Sequence, residues 1–360
     1  IGGYNWCRLP KNAKLYFGSG GSDGIIAVLK DRAYKYFPVF SRLSDNKDDI
    51  IDHIKENKYE IEVIKELTKT IVKPKLSPHI IEYYGVHKCN ESPDNIFKDC
   101  PSYAEMLQSN KKTLPKCDLT YKKGYPRTLQ KPMYILEMEK ADGSLSSEIE
   151  NISKKKWNVI ENFLDCLFFQ VFYTLETIKL VYPTYTHNDL FIRNIMIKNT
   201  KYSDGEYIRY HYKRNIFDVP ANNVYIKLND FGMNEISEEH ARKNDMVFTL
   251  VKNRYRDYFS IIYDVYNGGN LGGNSLYNLI KNKDKLKLVD KYFNQFIDVK
   301  MIKKIIKNNK KGQLDWDWEN TFDNEVVKLF GLKNINYYLE HFKDIYPYDK
   351  NHKIVEEYGI

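Results

Sequence analysis

Two short stretches constrain this 360-residue chain more than anything else in it: Thr186-His187-Asn188-Asp189-Leu190-Phe191-Ile192-Arg193-Asn194-Ile195 and Asn229-Asp230-Phe231-Gly232. The first sets an acid and an amide five residues apart on a loop, framed by the apolar Leu190, Ile195 and Ile197. The second places another acid directly after an apolar run, Tyr225 to Leu228. If Asp189, Asn194 and Asp230 serve one chemistry, the fold must bring together side chains that lie far apart along the polypeptide.

The apolar period changes along the chain in a way that allows this. Leu15 to Phe17, Ile25 to Leu29 and Ala33 to Phe37 are short apolar runs separated by glycine and Lys-Asp-Arg turns, which predicts an antiparallel meander. From Asp48 to Val72 the spacing becomes helical, with Ile50, Ile54, Ile61, Ile64, Leu67 and Ile71 on one side, until Pro74 and Pro78 stop it. His79 to Val86 and Met133 to Met138 read as two further strands, divided by a polar insertion at about 88–131. After Asp142-Gly143-Ser144 the pattern is mainly helical, opening with Trp157 to Leu180. Met196 to Lys198 and Val224 to Leu228 read as a strand pair around a polar loop, Asn199 to Asn223. The glycine cluster Gly268 to Gly273 reads as a loop, and the remainder as helices completing the second part. The expected class is α+β and bilobal. A small antiparallel sheet lobe with one helix spans residues 1–139, and a larger, mainly helical lobe spans 140–360.

Composition narrows the class. Hydrophobic residues at 42% and aromatics at 14% can build a core, which excludes a disordered chain. Lys, Asn, Ile and Tyr dominate, as AT-rich codons would produce, so the thirty tyrosines are not read as a site. The net charge of +8 favours acidic partners without naming one. Eleven lysines between Lys281 and Lys311 read as a solvated helical face, because Ile and Leu recur among them at core spacing, and nucleic acid is not the expected ligand. Five cysteines without a C-x-x-C pair argue against a disulfide framework and for a reducing compartment. His87, Cys89, Cys100 and Cys117 are too irregularly spaced for a zinc site. No signal-peptide pattern opens the residues given. The most apolar run, Phe163 to Val181, is broken by Asp165, Gln170 and Glu176 and reads as a core helix, not a membrane span. The expected location is the cytoplasm.

The chemistry follows from residue types. Transfer of a phosphoryl group needs a carboxylate to orient the acceptor hydroxyl, with an amide and a second carboxylate to hold magnesium against the phosphates. Asp189, Asn194 and Asp230 fit those roles in that order. Gly18-Ser19-Gly20-Gly21-Ser22-Asp23-Gly24, between two predicted strands, offers converging backbone amides for phosphate. Lys35 follows on the next strand but one as a lone cation in an apolar run. An anion must hold it, and Glu60 is the expected partner, with Val63, Ile64 and Leu67 on its own helical side and Glu62 as its competitor.

From Leu15 to about Tyr266 these residues resemble the eukaryotic-type protein kinase superfamily. Pro78 to Gly85 is similar to that family's fourth strand, and Tyr134-Ile135-Leu136-Glu137-Met138 followed by Asp142-Gly143-Ser144-Leu145 is similar to its hinge. The resemblance implies that Leu136 is the gatekeeper, that backbone groups of Glu137 and Glu139 meet adenine, and that Asp257 braces the catalytic loop. There are departures. Asn188 stands where the family usually has arginine, Phe191 where its serine/threonine members have lysine, and no Ala-Pro-Glu closes the segment from Met233 to Arg256. The long insertions and short activation segment resemble the divergent kinases of large DNA viruses.

The resemblance thus implies an ATP- and Mg2+-dependent kinase, with Mn2+ as a substitute metal, acting on protein hydroxyls of the serine/threonine class. Catalytic roles fall to Asp189, Lys35, Asn194 and Asp230, metal binding to Asn194 and Asp230, and nucleotide binding to Gly18, Ser19, Gly20, Gly21, Ser22, Gly24, Lys35, Glu60, Leu136, Glu137 and Glu139. Its partner would be a protein substrate, with acidic surfaces favoured by charge, in a host cytoplasm or a virion. Two alternatives stand beside it. His-Asn-Asp is also similar to the brace loop of choline and aminoglycoside phosphotransferases, and a pseudokinase or virion scaffold would keep the fold without turnover.

Overall fold

The computed structural model describes residues 7, 14–17, 25–37, 40–42, 47–91, 127–129, 132–236, 255–268, 275–308 and 335–359. The class is α+β, with antiparallel sheets and several helices. The chain divides into two compact units, one of residues 1–66, 81–140 and 244–246, the other of 67–80, 141–243 and 247–360.

In the first unit a five-stranded antiparallel sheet holds β1 (Lys14–Phe17), β2 (Ile25–Leu29), β3 (Arg32–Phe37), β5 (Tyr83–Cys89) and β7 (Met133–Glu139), in the order β1-β2-β3-β7-β5. A short pair, β4 (Phe40–Arg42) with β6 (Arg127–Leu129), accompanies it. Helix α1 (Lys47–Leu67) carries its buried residues Tyr59, Glu60, Val63 and Ile64 at helical spacing, as the period predicts. Its last turn passes into a π-turn at Thr68–Val72, within the expected helix, before the two prolines.

Two expectations fail here. Cys7 and Cys89 form a disulfide across 82 residues, so the pattern without C-x-x-C did not exclude a bridge between distant thiols. Of the four residues judged too irregularly spaced for zinc, Cys89 is in that bond and His87 pairs with Glu137 at 2.9 Å; Cys100 and Cys117 lie outside the described residues. The strand expected from His79 begins only at Tyr83. Residues 77–80 join the second unit instead, where Leu228 donates its amide to the His79 carbonyl at 2.9 Å.

The second unit is built around α3 (Trp157–Val181), whose middle is buried on all sides. Each polar residue that interrupts this helix has a partner. Tyr292 Oη donates to Asp165 at 2.7 Å. Gln170 bridges the Val224 carbonyl at 2.7 Å and the Ile226 amide at 2.9 Å, and Tyr212 Oη donates to Glu176 at 3.1 Å. Buried polar groups persist where they are hydrogen-bonded, so these positions are what a packed protein core rather than lipid requires. Among the described residues no helix is long and apolar enough to cross a membrane. Aromatic residues fill the space around α3, with Phe168 against Phe293 at 5.9 Å and Phe172 against Tyr258 at 5.2 Å.

The short β8 (Gly143–Ser144) leads into α2 (Leu145–Ser153), and a three-stranded sheet runs β12-β9-β8, with β9 at Ile195–Ile197 and β12 at Ile226–Leu228. The polar stretch 199–223, expected as a loop, contains a hairpin, β10 (Glu206–Tyr212) and β11 (Asn215–Pro220). The C-terminal strand β13 (Lys353–Gly359) pairs in parallel with β10, so the end of the chain is not helical as expected. Helices α4 (Arg256–Asn267), α5 (Leu276–Leu279), α6 (Lys283–Phe293), α7 (Val299–Asn308) and α8 (Ile335–His341) complete the unit. In the lysine-rich region Val289, Tyr292, Phe293 and Ile302 are buried while Lys281, Lys283 and Lys287 face solvent.

Candidate active site

The antiparallel pairing of β9 with β12 sets Ile195 opposite Leu228, so the residue before one strand and the residue after the other meet at the same end. There the Asn229 amide donates to the Asn194 carbonyl at 2.9 Å. Asn194 and Asp230 are thereby neighbours in space although far apart in sequence. The loop before β9 is held from below by α4: Asp257 accepts the amides of His187 and Asn188 at 2.8 and 3.0 Å. Leu190, Ile192 and Ile195 are buried and anchor the loop in the core. Asn188 (φ 64°) and Asp230 (φ 63°) occupy the left-handed region, which asparagine and aspartate tolerate better than other side chains.

Asp189 is held at both carboxylate oxygens. Arg193 Nη2 donates to Oδ1 at 2.5 Å and Asn194 Nδ2 to Oδ2 at 2.7 Å, with a further bond from Nδ2 to the Asp189 carbonyl at 2.8 Å. Each carboxylate oxygen keeps a second lone pair for an acceptor hydroxyl. Because Asn194 spends its amide nitrogen on Asp189, its Oδ1 is the atom left to face a ligand. An amide oxygen and the Asp230 carboxylate on adjoining strand ends are hard oxygen donors, the kind that magnesium takes when phosphates and water complete its shell. The donor set therefore fits the metal that the resemblance implies. Phe231 is buried against the His187 ring, with centroids 5.4 Å apart, and among the described residues neither ring nitrogen of His187 has a hydrogen-bond partner. His187 thus packs as a flat apolar body.

Asn188, in the position where the resembled family has arginine, donates from Nδ2 to Thr186 Oγ1 at 3.1 Å and to the Met233 carbonyl at 3.0 Å. Asn234 Nδ2 donates to the His187 carbonyl at 3.1 Å. Neutral hydrogen bonds therefore tie residues 233–234 to the loop that carries Asp189.

In the first unit Lys35 Nζ meets Glu60 Oε1 at 2.7 Å and Oε2 at 2.9 Å, and both residues are buried (9% and 7% exposed). Glu62 pairs instead with the exposed Lys65. Leu136 is buried directly opposite Lys35 in the β3–β7 ladder. The expected adenine contacts at Glu137 and Glu139 meet an obstacle. Glu137 lies inside the sheet between Tyr34 and Gly85, and the Glu139 amide donates to the Glu82 carbonyl at 2.9 Å, so that amide is already bonded within the protein. The glycine-rich stretch, with Gly18, Ser19, Gly20, Gly21, Ser22 and Gly24, lies outside the described residues, as do most of the 88–131 insertion and residues 237–254.

One acid of the site escaped the sequence reading. Asp264 on α4 accepts the Ile192 amide at 2.7 Å, on the far side of Asp189 from Asp257. Its signal was available: an aspartate in a run of buried aromatic and aliphatic residues, seven positions after Asp257.

No family model matches the chain. It is 28% identical to a protein of Acanthamoeba polyphaga mimivirus described as "Putative serine/threonine-protein kinase", over 81% of this chain and 79% of that protein. In the order of its motifs and in this match, the chain resembles the eukaryotic-type protein kinases in the divergent form carried by giant DNA viruses.

Proposed function

We propose that this protein is an ATP- and Mg2+-dependent protein kinase that transfers the γ-phosphoryl group to serine or threonine hydroxyls. The observation that carries the reading is the Asp189 carboxylate, held by Arg193 and Asn194 while Asn194 is bonded to the strand end that bears Asp230. Asp189 orients the acceptor hydroxyl and takes its proton as the new O–P bond forms and the bond from the γ-phosphorus to the ADP oxygen breaks, ADP leaving. Asn194 and Asp230 would hold magnesium, which would neutralise phosphate charge there. Lys35, fixed by Glu60, contributes a positive charge for the nucleotide phosphates, and the glycines from Gly18 to Gly24 cover them. Catalysis is then mostly positioning and charge stabilisation. The relative's description supports the serine/threonine assignment. The proposed architecture is bilobal, with lobes at 1–139 and 140–360, and the proposed location is a host cytoplasm or virion.

Radiolabel transfer from ATP to a generic basic protein, and to the protein itself, tests this directly. Asp189→Ala and Asp230→Ala should each lower transfer at least about a hundredfold while the protein still folds. Unchanged turnover in either variant refutes the assignment. Binding of ATP and magnesium without any transfer would support a scaffold instead. The His187-Asn188-Asp189 sequence is also similar to the brace loop of small-molecule kinases, and labelling confined to amines or sugars would support that reading.

A further inference from the structure

Asp257 and Asp264 stand seven residues apart on α4. Seven residues turn a helix by about 700°, so the two carboxylates share one face, about 10 Å apart along the axis. Asp257 holds the amides of His187 and Asn188, and Asp264 holds that of Ile192. The backbone between Asn188 and Ile192 is therefore strung between two points on one rigid helix, and Asp189 lies within the span. Four residues reach at most about 14 Å, which is enough to span anchors about 10 Å apart along the helix.

Packing alone does not account for an acid at position 264. The residue is 5% exposed among Ile261, Ile262 and Val265, where a carboxylate is costly unless it accepts hydrogen bonds. Its surroundings point toward the catalytic loop. Burial pushes its pKa up to about 6, the Ile192 amide and the Arg193 guanidinium draw it down, and the Asp189 charge pushes it up.

We propose that Asp264 is a positioning residue for Asp189, the second of two anchors on α4 that clamp the catalytic loop at both ends and set where the Asp189 carboxylate stands. The proposal rests on the reading of Asp189 as the group that orients the acceptor. Without Asp264 the Ile192 amide is released. Asp189, Arg193 and Asn194 keep their mutual bonds but shift together relative to α4.

Two variants test it. Asp264→Ala removes the acceptor, and Asp264→Asn keeps an oxygen for the Ile192 amide without the charge. Hydrogen exchange followed by mass spectrometry, with full-length protein, should show peptide 187–194 of Asp264→Ala exchanging at least about tenfold faster, peptides from α3 unchanged, and Asp264→Asn close to the parent. In turnover Asp264→Ala should lose at least about tenfold in kcat, with KM for ATP within twofold and ATP-binding stoichiometry retained, and Asp264→Asn should recover most of that loss. Parent-like exchange of 187–194 in Asp264→Ala overturns the clamp, as does a loss shared equally by all peptides, which marks general fold support. Altered exchange with parent-like kcat overturns the positioning role. If the parent transfers no phosphate, the kinase reading fails, and the exchange pattern still decides whether Asp264 clamps the loop.

Discussion

Histidine 79 offers a quantitative test of the second unit. It is 0% exposed, its Nδ1 lies 2.9 Å from the Ile226 carbonyl and its Nε2 lies 2.8 Å from Tyr210 Oη. A carbonyl can only accept, so Nδ1 carries the proton and Nε2 accepts from the tyrosine. Burial lowers the pKa to about 3, against a smaller upward pull from the Ile226 carbonyl and with a further downward push from Lys227. In the unfolded chain the imidazole titrates near its ordinary value of about 6.5. Below that pH the unfolded state takes up a proton that the folded state refuses until about 3, so stability is complete above 6.5 and falls as the pH drops through this window. At pH 5 the loss is about 2 kcal/mol, from roughly 1.5 pK units at about 1.4 kcal/mol each. The comparison protein is His79→Gln, whose amide can donate to Ile226 and accept from Tyr210 without titrating. Urea unfolding of both proteins at pH 7.5 and 5.0, followed by helical circular dichroism, cancels the fixed effect of the substitution and the titration of all other groups. The parent should lose about 2 kcal/mol more than the variant between the two pH values. Equal losses, within about 0.5 kcal/mol, would refute the buried neutral imidazole.

Two other outcomes follow from the first unit. Glu60→Gln leaves the buried Lys35 ammonium without its carboxylate and should destabilise the protein by about 3 kcal/mol, measured by denaturant unfolding, while Lys35→Met combined with Glu60→Leu restores most of that loss but no phosphate transfer. Reduction of Cys7–Cys89 should lower stability by up to about 4.5 kcal/mol, the chain-entropy value for a closed loop of this length. Cys7→Ser should abolish the response to dithiothreitol, and a parent protein indifferent to reductant would argue against the bond.

Much of the local structure could be read from neighbours in sequence. The meander strands and α3 follow from alternation and from three- and four-residue spacing, since side-chain direction repeats with the backbone. The same rule singled out Glu60 over Glu62, because a helical residue shares its side with those three, four and seven positions on. For Asp264 the period of its helix announces a buried acid but says nothing about which loop amide that acid will meet.

By itself the sequence determined the residue types available for phosphoryl transfer, their order, and the segments able to form strand or helix, because these depend on side-chain chemistry and short-range periodicity. The tertiary structure alone decided the partnerships that span the chain. The parallel pairing of β13 with β10, the Cys7–Cys89 bond, the move of residues 77–80 into the second unit and the bonds from Asp257 and Asp264 to the amides of His187 and Ile192 are all of this kind. None of these has a turn or a repeat to announce it. Each forms because folding buries surfaces and satisfies backbone groups wherever the assembled chain brings them together.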